Sequence, residues 1–537
     1  MRSRFASSVS VILFVLLLAA TLGAAALAAA APASARPPAA PSAGPSGSAD
    51  ELLALLAVQQ ARLTATDGAA GDEFGWSVAI SGDTAVVGAR YDKVGANANQ
   101  GSAYVFMRSG TTWSQQAQLT AADGAAGDFF GASVAISGET AAVGALSDDV
   151  GANTDQGSAY VFTRSGTTWS QQAKLTASDG AANDCFGDEV ALSGDTAAVG
   201  AANDDVGANT DQGSAYVFAR SGTAWGQQAK LTAADGAAGD DFGWSVAISG
   251  DTVVAGAPYD DVGAHADQGS AYVFTRSGTT WSQQAKLTVA GAAGDGLGNA
   301  VAVSGDSAVV GADFDKVGAN EIQGSAYVFV RSGATWSQQA QLLAAGGAAG
   351  DFFGNAVALS GDTVVVGALG DNVGGHVVQG SAYVFARSGT TWSQRQKLTA
   401  ADGAHGDNFG DSVALSGDTV MVGALGDDVG ANVDQGSAYV FLFSDVAKPG
   451  RPAAKSPKGL ISSRTPTFKW TAAAGAATYE VRIYKGSTLL KKKTGIATTS
   501  WRCTKRLPRG VYLTWKVRAH NVAGAGPWSN RPRFKVR

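Results

Sequence analysis

The sequence predicts an all-β chain, a seven-bladed β-propeller followed by a smaller β-sandwich. Three observations carry that reading. The first is a repeated unit opened by Phe-Gly at Phe74-Gly75, Phe130-Gly131, Phe186-Gly187, Phe242-Gly243, Phe353-Gly354 and Phe409-Gly410, with Leu297-Gly298 as the altered copy. The glycines of these pairs are 56 residues apart except for one spacing of 55, between Gly243 and Gly298, and so regular a period marks a repeat architecture. The second is that each unit holds four short β-branched or aromatic segments, FGASVAIS, TAAVGA, GSAYVF and WSQQAKLT in the second copy, which is the strand count of a propeller blade.

Ring closure is the third observation. The Trp-bearing fourth segment follows the first six units, at Trp113, Trp169, Trp225, Trp281, Trp336 and Trp392, and is missing after the seventh, where Phe441 runs into LFSDVAKPG. Ahead of the first unit stands QQARLTA, residues 59–65, nearly identical to QQAKLTA at 171–177. A strand over 58–65 is therefore expected to complete the last blade and leave no open sheet edge, within a propeller bounded at 51–445. The turn Ser-Gly-Asp-Thr between the first two strands (81–84, 193–196, 249–252) puts glycine where a type II′ hairpin needs positive φ.

The N-terminus reads as an address. Arg2 and Arg4 precede an apolar run from Val9 to Ala31 and the small-residue site Ala33-Ser34-Ala35, so residues 1–35 are expected to be a signal peptide. The run is also long enough to span a bilayer, and a retained anchor is the competing reading. Residues 36–50, rich in Pro, Ala, Ser and Gly, are expected to be a disordered linker. Cys185 and Cys503 fall in different domains, which excludes a disulfide framework.

The units resemble the FG-GAP repeat family, best known from the propellers of integrin alpha subunits. The resemblance rests on the Phe-Gly pairs, on Val-Gly-Ala (87–89, 143–145, 199–201) and on Tyr-Val-Phe at 104–106 and its counterparts; Gly256-Ala257-Pro258 alone keeps the Gly-Ala-Pro of the name. It implies an extracellular propeller that binds ligands or partners, often with calcium. The family's calcium loop lies between the first two strands, where this chain has only Ser-Gly-Asp, too short for a cation that takes about six to eight oxygens. No calcium ligand carries over position by position.

The acidic residues lie in two loops expected on one face. One reads Asp-Gly-Ala-Ala-Gly-Asp, with Asp72, Asp128, Asp184, Asp240, Asp295, Asp351 and Asp407 in one slot; the other reads Asp-Asp-Val-Gly-Ala-Asn-Thr-Asp-Gln-Gly at 148–157 and 204–213. That face is expected to be strongly negative. Three readings of the carboxylates stand open: turn hydrogen bonds with solubility, attraction of a basic partner, or a cation, most plausibly calcium. Candidate ligands for calcium are Asp148, Asp149, Asn153 and Asp155, and their counterparts Asp204, Asp205, Asn209 and Asp211.

A unique binding site should break the repeat. Trp76, Asp188, Glu189, Trp244 and Asp411 follow the Phe-Gly pairs near the expected channel mouth, differ between units, and are the candidate ligand contacts. His265, His376, His405 and His520 are scattered, and no nucleophile-base order, zinc pattern or phosphate loop is visible. A non-enzymatic protein is expected; a glycan-active enzyme using channel carboxylates is the alternative.

From Lys448 onward stand 21 Lys and Arg against one acid, Glu480, a net of +20, while the chain before it carries −26. Residues 446–458 are expected to be a linker. Residues 459–537 alternate apolar and polar in strands and resemble a fibronectin type III domain, an immunoglobulin-like sandwich, with Trp470 as its core tryptophan and WKVRAHNVAGAGPWS at 515–529 as a late strand and loop. The expected corner tyrosine is Leu513, with Tyr512 beside it. Lys491, Lys492, Lys493, Arg502, Lys505, Arg506 and Arg509 are candidate contacts for an anionic cell-surface polymer, the competing reading being a solvated face. The whole reads as an exported adhesion or surface-recognition protein whose partner is an extracellular protein or glycan and not a nucleic acid.

Overall fold

A computed structural model describes residues 56–444, 449–476, 478–521 and 524–537. The signal-peptide segment and residues 36–50 lie outside the described residues, among which no helix is long and apolar enough to cross a membrane. Residues 56–444 form seven four-stranded antiparallel sheets. The innermost strands touch in a closed circle, Val78–Ser81 meeting both Phe130–Ser137 and Val413–Ser416. The sheets are therefore the blades of one ring.

Local chemistry sets each strand. In the second blade Thr140–Ala145 is buried throughout, and Ser158–Ser165 is buried until Thr163, where it emerges at the rim. Ser137 lies opposite Thr140, and Gly138 takes φ +59° in the two-residue loop between them, as the expected hairpin requires. The first strand is shorter than the sequence pattern implies in five blades, as at Val78–Ser81, and full length only in Phe130–Ser137 and Phe353–Ser360. In the full-length strand of the second blade the Phe-Gly glycine, Gly131, sits at φ +94° and the register shifts between Phe130 and Val134.

The apolar core lies between consecutive blades. Val86, Val105 and Leu119 of the first blade pack with Phe130, Val143 and Tyr160 of the second. Phe130 is fully buried and meets Tyr160 and Phe162 edge-on, with ring centroids 5.5 and 6.0 Å apart. At the inner end the seam is backbone against backbone. A Cβ on Gly88 would stand 2.0 Å from the Gly131 carbonyl oxygen, and one on Gly131 would stand 2.3 Å from that of Ser102. Neither position admits a side chain.

The ring closes through its N-terminus. Leu56–Leu63 pairs antiparallel with Ser437–Ser444, Arg62 opposite Tyr439 and Leu63 opposite Ala438, a strand that begins two residues earlier than the expected 58–65 and bulges between Gln59 and Ala61. Around the rim each outer-strand tryptophan donates its Nε1 proton to a glutamine of the preceding blade, as Trp169 does to Gln116 at 2.9 Å, and Trp113 reaches Gln60 of the N-terminal strand at 3.1 Å. Blade seven has Ala57 in the tryptophan slot and blade six has Arg395 in the glutamine slot. Gln396, standing where other blades have alanine, bonds both the Ala57 N–H and its carbonyl at 2.8 Å. A different stitch thus holds the one seam where the usual pair is missing.

The C-terminal residues form a sandwich of a three-stranded and a six-stranded sheet. Phe468, Trp470, Val481, Ile483, Trp515, Val517 and Phe534 fill its core. One sequence expectation needs correction. Part of the expected linker is structured, because Ala454–Ser456 pairs with Thr467–Trp470 and buries Ala454, an edge place where nearby prolines forfeit no ladder bond. Leu513, in the slot of the family's corner tyrosine, points into the core, and Tyr512 is 50% exposed on the outer face.

Two outcomes follow. Gly131→Ala should cost roughly 2–4 kcal/mol, combining left-handed strain with overpacking of a rigid seam, and denaturant unfolding would read it; an unchanged midpoint would contradict the backbone contact. Removing residues 56–63 should expose the Ser437–Ser444 edge, lower the melting temperature and produce salt-insensitive aggregates in light scattering.

Candidate functional site

The recurrent acids have internal work. Asp128 accepts the Ala125 N–H at 2.6 Å and closes its own loop, as do Asp72, Asp184, Asp240, Asp295, Asp351 and Asp407 in theirs. Burial pushes Asp128, Asp184, Asp240 and Asp351 up to about 6 against the pull of those backbone bonds.

The candidate calcium ligands are likewise engaged. Buried Asp148 accepts from Ser158 and from Tyr160 at 3.0 Å, and Lys174 bridges it at 2.6 Å to Asp123 at 2.7 Å. Lys230 repeats the bridge between Asp204 and Asp179 at 2.6 and 2.7 Å. Asp149 and Asp205 accept the N–H groups of Asp155 and Asp211, both at 2.9 Å. Asn153 and Asn209 donate to Gln156 and Gln212 at 2.8 Å. A calcium ion here would have to displace an ammonium group already seated between two carboxylates. Among the described residues no group of three or more His, Cys, Asp or Glu is placed to hold a metal, and the carboxylates of Asp148, Asp149, Asp204 and Asp205 are engaged by lysine, hydroxyl and backbone donors. The same lysines lower the charge of the face that the loop sequences alone make strongly negative. On the opposite face Arg108 meets Asp83 at 2.5 Å and Arg387 meets Asp362 at 2.6 Å, so charges of both signs cancel there.

The channel mouth is different. Positions just before and after Phe-Gly, and just after Val-Gly-Ala, change from blade to blade, and the ring brings them together. Arg90 lies over the Trp76 ring at 3.0 Å and over Tyr91 at 4.5 Å, and its Nε is 3.6 Å from Glu73. Its charge also acts on Asp188 of the third blade and Asp411 of the seventh. Trp76 thus stacks on a guanidinium whose charge reaches Asp188 and Asp411. Glu189 adjoins Asp188 and the Ser133 hydroxyl, whereas Trp244 packs edge-on against Tyr259, 6.2 Å away. Aromatic pairs Tyr91–Phe129 and Phe314–Phe352, at 5.5 and 5.9 Å, extend the rim.

These carboxyls are half-buried and held away from their ordinary values. Burial pushes Asp188 up to about 6 and Asp411 up to about 7, each against the pull of Arg90. Burial, with Asp188 adding to it, pushes Glu189 up to about 8. Glu73 rises to about 7, again through burial first, although Arg90 is beside it. Asp313 occupies in the fifth blade the slot of Arg90 in the first; it is buried, rises to about 7, and its Oδ1 has no hydrogen-bond partner among the described residues. Arg90, Glu73 and Asp313 were not among the sequence candidates. The signal that singled out Trp76, a residue breaking the repeat beside a repeated glycine, marks them equally.

The basic candidates of the C-terminal domain do not form one patch. Lys491 and Lys493 pair opposite buried Ile483 and Val481, while Lys492 pairs opposite Arg482 on the outer face. Arg502 ends a strand of the other sheet, and Lys505, Arg506 and Arg509 follow it in a loop. Strand alternation divides the set.

The raised carboxyls fix a sign. Folded Glu189 holds its proton to about 8 while the unfolded side chain releases it near 4.5, so its share of stability is full at low pH and is lost as pH climbs through 8. The melting temperature should fall from pH 6 to 9, and Glu189→Gln should flatten that fall and melt higher than the parent at pH 9. Parallel curves for the two proteins would refute the assignment.

Comparison with known proteins agrees with the geometry. A family model, the FG-GAP repeat, matches residues 57–106, 113–162, 169–218, 225–274, 281–329, 336–385 and 392–441. Each match begins at the outer-strand tryptophan slot, so one sequence unit supplies the outer strand of one blade and the three inner strands of the next. Among solved structures, a Fn3-like protein from Clostridium thermocellum is 25% identical, covers 18% of this chain and 96% of its own, and superposes with a TM-score of 0.14. No curated protein matches. With seven repeats matched over most of its length and folded into one closed β-propeller, the chain belongs to the FG-GAP repeat family.

Proposed function

We propose that this is an exported recognition protein that binds an extracellular protein or glycan at the channel mouth without chemically altering it. One observation carries the reading: Arg90 lies over the Trp76 ring, and its charge acts on Asp188 and Asp411 of two other blades, all three at positions that break the repeat. Buried carboxyls that destabilise the unliganded protein at neutral pH are an arrangement typical of functional sites. A ligand offering ammonium or hydroxyl donors would find acceptors in Asp188, Glu189 and Asp411 and flat apolar faces in the rim aromatics.

A glycan-active enzyme is the second reading. It draws on the separation of Asp188, at about 6, from Glu189, at about 8, since two carboxyls with unlike values can divide acid and base roles. One experiment addresses both. An array of glycans and extracellular-matrix proteins should show binding by the parent that weakens at least tenfold in Asp188→Asn with Asp411→Asn, at a melting temperature no lower than the parent's. Equal binding by the variant would reject the mouth as the site. New reducing ends from a polysaccharide panel, abolished by Glu189→Gln, would establish the enzyme instead.

A further inference from the structure

The C-terminal domain carries a second surface, independent of the channel mouth. Strands Thr478–Lys485, Tyr512–Asn521 and Arg533–Val536 lie side by side in the six-stranded sheet. Val481, Ile483, Leu513, Trp515, Val517, Phe534 and Val536 face the core with no exposed surface. Alternation therefore sends the residues between them outward. Arg482 stands opposite Lys516 and Lys492, and Tyr512 stands opposite Lys535.

Aromatic rings fix these cations in place. Trp528 has Lys516 at 4.2 Å, Arg518 at 4.5 Å and Arg482 at 4.9 Å from its centre. Tyr512 has Arg533 at 3.6 Å, and Tyr484 has Arg531 at 4.4 Å. The sole carboxylate is Glu480, 1% exposed, held by Arg482 at 2.6 Å and Arg518 at 2.8 Å. Those hydrogen bonds hold its carboxyl down at about 2 despite its burial. It is consumed within the layer and offers nothing to offset the charges above it.

Like charges facing one another across strands destabilise a sheet, and a solubilising surface needs both signs interspersed. This one carries a single sign, on a flat face, with its long side chains already ordered. We infer that the outer face of the six-stranded sheet binds an anionic polysaccharide along the row Lys516, Arg533 and Lys535. The backbone positions that carry these cations are about 5 Å apart between strands and about 7 Å apart along them, with Lys516 diagonal to Arg533 and Lys535 two residues beyond it, an array suited to an extended polyanion. A nucleic acid fits less well, because single strands need open aromatic faces for stacking and these rings already face guanidinium and ammonium groups. The acidic loops of a second copy fit less well too, since lysines such as Lys174 and Lys230 already bridge their carboxylates.

The test uses the full secreted chain with polygalacturonate as the probe, and with neutral dextran, dextran sulfate and random-sequence duplex DNA alongside. Polygalacturonate should bind at low salt and lose at least tenfold in affinity by about 0.3 M salt, as screening by a short Debye length requires. Lys516→Gln with Lys535→Gln should weaken it at least tenfold, and each single change severalfold, at unchanged melting temperature; neither residue bonds Glu480. Lys505→Gln with Arg506→Gln, off this face, should bind as the parent does. Failure to bind at low salt, equal loss in both double variants, or tighter binding to DNA than to either anionic polysaccharide would overturn the proposal. So would salt-reversible dimers in light scattering whose formation Lys516→Gln abolishes.

Discussion

Everything in the ring depends on the contact of one glycine backbone with another where adjacent blades meet. The glycine of Val-Gly-Ala in one blade faces the glycine of Phe-Gly in the next so closely that a Cβ would lie within about 2 Å of a carbonyl oxygen, at Gly88 against Gly131 and again at Gly423 against Gly75 where the ring closes. That contact sets how near the inner strands approach. The phenylalanine beside the glycine then fills the space farther out, edge-on against the aromatic residues of the third strand. The two halves of the repeated motif are thus one packing device, with a residue small enough for the seam and one large enough for the wedge behind it.

Around that seam the polar groups are satisfied in kind, not in strict copy. The buried Asp after the second strand meets lysine in the second, third, fourth and sixth blades and Arg62 of the N-terminal strand in the seventh. In the first and fifth blades Gln118 and Gln341 take that place. A buried carboxylate demands donors, and an ammonium, a guanidinium or an amide supplies them within one geometry. Repetition of these acids therefore reflects a recurring structural demand. This is why the residues most suggestive of calcium in the loop sequence are the ones most completely occupied inside the fold.

The channel mouth and the outer sheet face of the C-terminal domain invert that logic. At the mouth, carboxyls are held above their ordinary values beside one arginine; on the sheet, cations stand with almost no carboxylate. In each case the chain keeps an imbalance that its own residues do not relieve, and such an imbalance is what a ligand of opposite chemistry can relieve. The two surfaces differ in sign, carboxyls at one and cations at the other.

The period, the four segments per unit and the displaced fourth segment determined the ring, its blade count and its manner of closure before any coordinate was known, because each is a one-dimensional pattern with a single three-dimensional solution. Trp76, Asp188 and Asp411 were legible for the same reason, as exceptions to a repeat. Three things were decided only by tertiary structure: which carboxylates were spent inside, that Arg90 would lie over Trp76 with its charge acting on Asp188 and Asp411, and that Lys491, Lys492 and Lys493 would part to different sides. Partnership between residues far apart in the chain is a property of distance across the fold. Strand alternation, likewise, separates neighbours in sequence and unites Arg482 with Lys516 and Trp528.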